Sequence, residues 1–380
     1  MKESDDYLIS KKEMDLIKIA YTRAADMAKD RLAKFSQRRE RDLEAIYRDD
    51  IPTFMEVPLA NKFVELEGAD AVILGVPYEG ITIKTPTLSA PPTVSRPEPG
   101  SVYWRMGSDK APTSIRKYSL YYSIRHKLGI FPEIDKDLVL SEHLNILDYG
   151  DVEVVPKDTE ETVNRVVERV ADIVKVGAVP IVFGGDHTIP YPVLKAVLEP
   201  RNTKIGLVIF DSHMDFSYEP AIWASSEWFR TMELGKISPK NIVEIGIRGR
   251  RNSILERNVA DILGIRTFSI EEVKALGISE VMERAIEIAS EGTDGLYISL
   301  DIDVMEPGLV PAQKAPEFWG LTSDEMIPAL KALAKEKVVG LDICELTPDY
   351  DINGMGAQFV ARCAVEVLAG LAMRKRADTK

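Results

Sequence analysis

The stretch Ile205-Gly206-Leu207-Val208-Ile209-Phe210-Asp211-Ser212-His213-Met214-Asp215 joins an unbroken apolar run to metal-ligating side chains at every second position. A strand with one wet face alternates, so six residues without alternation predict a strand buried on both faces. Similar short runs occur at 71–76, 145–147, 179–183, 242–245, 265–268, 296–300 and 338–341. Amphipathic stretches of helical length, among them 159–175, 278–289 and 322–335, lie between most of them. Apolar strands alternating with helices predict an α/β fold with a parallel sheet covered on both faces.

Two other runs end in the same kind of chemistry. Gly184-Gly185-Asp186-His187 follows 179–183, and Asp301-Ile302-Asp303 follows 296–300. In an extended chain, residues two apart point the same way. Asp211, His213 and Asp215 are therefore expected to converge, as are Asp301 and Asp303. In a parallel sheet these strand ends share one edge, which gathers two imidazoles and four carboxylates. Four carboxylates so close cannot all ionise uncompensated, and two divalent cations would balance them. Mixed carboxylate and imidazole ligands suit manganese, nickel, iron or zinc rather than calcium. Each segment alone also reads as ordinary structure: a satisfied loop histidine, a turn, a solvated Asp-x-Asp. All three at strand ends resist that reading, because unpaired buried carboxylates cost on the order of several kcal/mol. Of the four histidines only His187 and His213 fall in these segments; His126 and His143 read as surface or packing residues.

The remaining composition narrows the function class. A net charge of −13 argues against nucleic acid and anionic membranes as partners and is compatible with a cationic substrate. No apolar run reaches the ~20 residues of a membrane span, and residues 1–6 are polar and acidic, unlike a secretory signal. The two cysteines, Cys344 and Cys363, form no C-x-x-C pair, which points to buried inert thiols and a reducing cytoplasm. No Gly-x-Gly-x-x-Gly follows the first strand and no Walker sequence occurs, so nucleotide binding has no support. Met14, Ile17, Tyr21, Ala24, Ala28, Leu32 and Phe35 form a narrow apolar stripe in a charged region. This predicts a helical extension over 1–60, docked on a neighbouring subunit or on its own domain, before a catalytic domain at 61–380. Residues 83–104 hold Pro86, Pro91, Pro92, Pro97 and Pro99, a density that forbids helix and central strand. They predict a lid or pocket wall beside the first strand's C-terminal end, or a subunit contact.

Gly-Gly-Asp-His, Asp-x-His-x-Asp and Ser299-Leu300-Asp301-Ile302-Asp303, in this order, resemble the ureohydrolase family of arginase, agmatinase and related guanidino and formimino hydrolases. Asp148-Tyr149-Gly150-Asp151, Gly246-Ile247-Arg248-Gly249, Leu341-Asp342-Ile343-Cys344-Glu345 and the segment from Gly107 to Arg116 extend the likeness over about 71–371. The resemblance implies a three-layer α/β/α fold with an eight-stranded parallel sheet, assembled as homotrimers or homohexamers. It implies two divalent ions shared among His187, Asp211, His213, Asp215, Asp301 and Asp303. Between them a hydroxide would attack the guanidinium carbon, with Asp215 carrying the proton to the leaving nitrogen and Glu345 binding the guanidinium.

The departures suggest a substrate. Ser225 stands where agmatinase-like members carry a proton-shuttling histidine, which leaves Glu227 as a substitute or no shuttle at all. The loop after the last ligands is rich in Gly and Thr in arginases and agmatinases. Here it reads Ala312-Gln313-Lys314-Ala315-Pro316-Glu317-Phe318-Trp319-Gly320. Phe318 and Trp319, and also Trp228, are expected to narrow the pocket; packing against a neighbouring subunit is the other use for Phe318 and Trp319. Phe216-Ser217-Tyr218-Glu219 lacks the polar groups with which arginase holds an amino-acid head. These features imply hydrolysis of guanidine, or of a lightly substituted guanidine, to urea and ammonia or an amine. The extension resembles the guanidine hydrolase branch, which is nickel-dependent, so nickel is expected, with manganese as the alternative. Competing readings are an agmatinase, a guanidino-acid hydrolase using Lys314 to hold a carboxylate, a methylguanidine or biguanide hydrolase, and a non-catalytic assembly subunit. The retention of all six ligands discounts the last.

Overall fold

The computed structural model describes residues 12, 14–23, 26, 47–48, 51–80, 105–123, 138–199, 204–218 and 221–378. Among them, eight strands form one wholly parallel sheet: β1 (Ala71–Val76), β2 (Ile146–Asp151), β3 (Val179–Gly184), β4 (Ile205–Phe210), β5 (Ile242–Ile247), β6 (Arg266–Ser269), β7 (Gly295–Asp301) and β8 (Val338–Cys344). Their spatial order is β2-β1-β3-β8-β7-β4-β5-β6. The central strands are buried along their whole length, as continuous apolar runs require when helices cover both faces.

The helices are α1 (Ala111–Ser119), α2 (Thr159–Lys175), α3 (Pro190–Leu198), α4 (Glu227–Glu233), α5 (Ile254–Leu263), α6 (Ile270–Leu276), α7 (Ile278–Ser290), α8 (Ser323–Leu333) and α9 (Met355–Asp378). They form two packed series, α2-α3-α4 and α1-α9-α8-α7, which complete the three-layer α/β/α architecture. In α2, Val163, Val166, Val170, Ile173 and Val174 recur at three- and four-residue spacing and are buried, and Asp158 caps the start by accepting the Glu161 N–H at 3.0 Å. Helix α9 is apolar and long enough to cross a membrane, yet 72% of its apolar window is buried within the protein. Gly370 lets it approach α8: a Cβ there would lie 2.2 Å from the Ala334 carbonyl oxygen.

Two strands run further than their apolar residues predict. β2 continues through Asp148 to Asp151, and β8 through Asp342 to Cys344. Asp148 is tolerated because buried Arg116 on α1 forks onto it, with Nε at 2.8 Å and Nη2 at 2.9 Å, and also reaches Asp151 at 2.5 Å. Residues 46–380 form one compact unit and residues 1–45 another. Residues 46–60 therefore belong with the sheet rather than with the extension: the Phe54 N–H donates to Asp148 at 2.9 Å, and Leu59 pairs with Asp148. In the first unit the described residues are helical, with Met14, Ile17 and Tyr21 exposed. The rest of the predicted stripe, the whole segment 83–104 and His126 lie outside the described residues.

Candidate metal centre

Sheet register brings the chemistry together. β3, β8, β7 and β4 are neighbours, with Phe183 beside Ile343, Cys344 beside Asp301, and Leu300 beside Phe210. The residues that follow each strand therefore emerge in one row. The Glu345 N–H donates to the Gly185 carbonyl at 2.8 Å, extending the β3–β8 ladder into the loops. Gly185 has to be glycine, since a Cβ there would lie 1.8 Å from the Tyr78 carbonyl oxygen.

The side chains converge by turns rather than by the extended geometry expected from their two-residue spacing. The His213 N–H donates to Asp211 Oδ1 at 2.6 Å, and the Asp303 N–H donates to Asp301 Oδ1 at 2.7 Å. The same Asx turn is used twice, fixing one oxygen of each leading aspartate and leaving the other for the centre. Asp303 lies in a single 3-10 turn, Ile302–Val304, and Asp215 is left-handed at φ 50°. Glu345 is also left-handed, at φ 66°. Non-glycine residues hold such conformations at a cost of roughly 1–3 kcal/mol, and they concentrate at functional sites.

Two ligand groups result, His187–Asp211–Asp215 and Asp211–His213–Asp303, each with its ligand atoms mutually within 4.8 Å. Asp211 belongs to both. His187 Nδ1 lies 3.2 Å from Asp211 Oδ2, 3.1 Å from Asp215 Oδ2 and 3.5 Å from Asp301 Oδ2. His213 Nδ1 lies 3.0 Å from Asp303 Oδ2. All six side chains predicted as ligands are thus brought together.

The electrostatics match a centre built for positive charge. Burial, then Asp303 and Asp215, push Asp211 up to about 7. Burial and the charges of Asp303 and Asp211 also push Asp301 well above the carboxylate range. Burial opposes protonation of His213, but Asp303 and Asp211 outweigh it and raise it to about 9. Asp211 Oδ2, Asp303 Oδ2 and His213 Nε2 are buried without a hydrogen-bond partner. Both oxygens still lie beside a histidine ring nitrogen, so the clear orphan is His213 Nε2, which costs about 1–3 kcal/mol in a cation-free centre. This nitrogen and oxygen donor set fits two divalent ions of the manganese-to-zinc group.

Several supporting residues were not singled out in the sequence. The other His187 nitrogen, Nε2, meets Ser299 Oγ at 3.3 Å, and Ser299 donates to buried Asp342 at 2.9 Å. Ser299 was legible as lying two residues before Asp301 on the same strand face. Asn252 accepts the Met214 N–H at 2.8 Å and donates to the Ser212 carbonyl at 3.0 Å, bracing the Asp211–Asp215 loop from a distant segment.

The candidate substrate residues divide. Glu345 Oε1 accepts the His187 N–H at 2.6 Å, and burial pushes its carboxyl up to about 8 against the pull of Lys314. Glu227, at the start of α4, reaches within 3.2 Å of His187 Nδ1, whereas Ser225 forms backbone contacts with Ser217 and Trp223. Burial and the charge on Asp215 raise Glu227 well above the carboxylate range. Phe318 and Trp319 are 74% and 53% exposed and do not enclose the centre in the single chain. The loop is held instead through its backbone, with Arg248 donating to the Glu317 and Phe318 carbonyls. The aromatic beside the centre is buried Trp228, edge-on to His187 at 5.4 Å between ring centroids.

A family model described as Arginase family matches residues 69–370. A guanidinopropionase of Pseudomonas aeruginosa is 29% identical over 85% of this chain and 92% of its own length. The solved structure of proclavaminate amidino hydrolase from Streptomyces clavuligerus superposes with a TM-score of 0.71 at 26% identity, covering 86% of this chain and 98% of that one. Trypanosoma cruzi formiminoglutamase, solved with manganese, shares the fold at 21% identity with a TM-score of 0.67, over 85% of this chain and 99% of that one.

Proposed function

The chain belongs to the arginase family, and from that premise we propose that it is a two-metal ureohydrolase acting on guanidine or a lightly substituted guanidine, with urea and ammonia or an amine as products. The observation that carries the substrate assignment is the pair of buried carboxyls flanking one imidazole. Glu345 holds the backbone N–H of His187, and Glu227 borders its Nδ1. A small planar cation with N–H donors on every edge suits the Glu345 carboxylate on one side and the carbonyl oxygen of a protonated Glu227 on the other. The segment Phe216-Ser217-Tyr218 offers little to an amino-acid head.

His187, Asp215 and Asp301 would hold one ion, His213 and Asp303 the other, and Asp211 would be shared. When bound, two such cations supply the positive charge that lowers the pKa of water toward neutrality and stabilises charge developing on attack. Glu345 binds the guanidinium and fixes its carbon relative to the centre. Asp215 accepts the proton released from water. Glu227, kept protonated by burial beside Asp215, supplies one to the leaving nitrogen. Nickel is the preferred metal in this reading, since it binds nitrogen and oxygen donors more tightly than manganese, which remains the alternative. A cytoplasmic homotrimer or homohexamer completes it.

The test is urea release by the metal-loaded chain from guanidine, methylguanidine, agmatine, arginine and 4-guanidinobutyrate. Guanidine is expected to give the highest kcat/KM. An inert guanidine alongside fast turnover of a long-tailed substrate would refute the small-substrate reading.

A further inference from the structure

We propose that Lys314 is a specificity-determining residue whose ammonium is a built-in cation beside Glu345, filling the place a longer substrate's cationic tail would take. This rests on the reading of the centre as a guanidinium hydrolase.

Lys314 is only 11% exposed, and its Nζ lies 3.5 Å from Glu79 Oε1, 3.7 Å from Glu345 Oε1 and 3.9 Å from Asp186 Oδ2. Three nearly buried carboxylates thus surround one ammonium. None of them is loose. Glu79 accepts the Gly107 N–H at 2.9 Å and the Ser108 hydroxyl at 3.1 Å. Asp186 accepts the Gly80 N–H at 2.7 Å. The Lys314 backbone is equally fixed: its N–H donates to the Glu345 carbonyl at 3.1 Å, and its carbonyl accepts the Arg105 N–H at 2.9 Å.

This arrangement opposes the use of Lys314 as a receptor for a substrate carboxylate. Its charge is already committed to three anions, and a fourth would meet net negative surroundings. Those surroundings would instead attract a second cation if the ammonium were removed. An alkylammonium tail entering with a guanidinium on Glu345 would find Glu79 and Asp186 as ready acceptors. Lys314 already fills that space and engages both acceptors, so only a compact guanidinium fits beside Glu345.

The experiment compares wild type, Lys314→Met and Lys314→Arg as metal-loaded full-length chains. It measures kcat and KM for guanidine, agmatine and 4-guanidinobutyrate, and agmatine affinity by calorimetry. Lys314→Met is expected to raise the agmatine-to-guanidine ratio of kcat/KM by about tenfold or more, mainly through a lower agmatine KM. Agmatine binding should tighten in parallel, and Lys314→Arg should keep the wild-type ratio. Two results overturn the proposal: an equal loss on all substrates with the ratio unmoved, or a selective loss of 4-guanidinobutyrate turnover. Should Lys314→Met not fold, Lys314→Gln, which removes the charge but keeps a polar tip for the same carboxylates, is read in the same way. A wild type that prefers agmatine defeats the proposed function itself; a wild type that prefers guanidine, with an unmoved ratio in the variant, defeats only this inference.

Discussion

Asp342 on β8 and Ser299 on β7 sit opposite each other in the sheet, and the Ser299 hydroxyl links the Asp342 carboxylate to Nε2 of His187. The chain thereby sets the orientation of a proposed ligand from the side facing away from the metals. Partners of this kind, beyond the ligands themselves, typically govern metal affinity by 10–100-fold. Ser299→Ala and Asp342→Asn are accordingly expected to weaken metal binding by about that factor, measured by competition with a chelator, while the circular-dichroism spectrum is retained. Unchanged affinity in both variants would leave the relay a packing feature.

Glu227 lies against His187 with neither oxygen holding a hydrogen bond of good geometry. If it delivers a proton to the leaving group, Glu227→Gln should lower kcat by about 100-fold or more, with KM and metal content nearly unchanged. A fall in metal content instead would make Glu227 a ligand.

The stability of the stripped protein should depend on pH in a set direction. His213 and Asp211 have folded-state pKa values of about 9 and about 7, above their ordinary values. The stabilisation each contributes is complete below its unfolded pKa and is lost as pH rises through the folded one. Metal binding removes this dependence, because the ligands are held deprotonated. The difference in Tm between metal-loaded and stripped protein should therefore widen from about pH 6 to about pH 9. A constant or shrinking difference would contradict the electrostatics derived for the centre.

Much of this was readable from local sequence. Continuous apolar runs such as Ile205–Phe210 mark doubly covered strands, and ligating residues directly after them mark one sheet edge. What escaped depends on partners far away in the chain. β2 tolerates Asp148 because Arg116 neutralises it and the Phe54 N–H donates to it from other elements, and Asn252 braces the Asp211–Asp215 loop across 38 residues. Bulk alone suggested that Phe318 and Trp319 wall the pocket, yet the loop backbone follows Arg248 and both side chains are exposed in the single chain, while Trp228 lies beside His187. Whether Lys314 faces a substrate or three carboxylates of its own chain is likewise set by Glu79, Asp186 and Glu345, which arrive from three different strand ends.

Metal stoichiometry after loading with nickel or manganese and removal of excess, measured by elemental analysis, addresses the paired centre most directly. Two ions per chain are expected in the wild type, and fewer than one in Asp211→Asn, because both groups share that carboxylate. One ion or fewer per wild-type chain, or an Asp211→Asn variant that still holds two, would contradict a binuclear site at these residues.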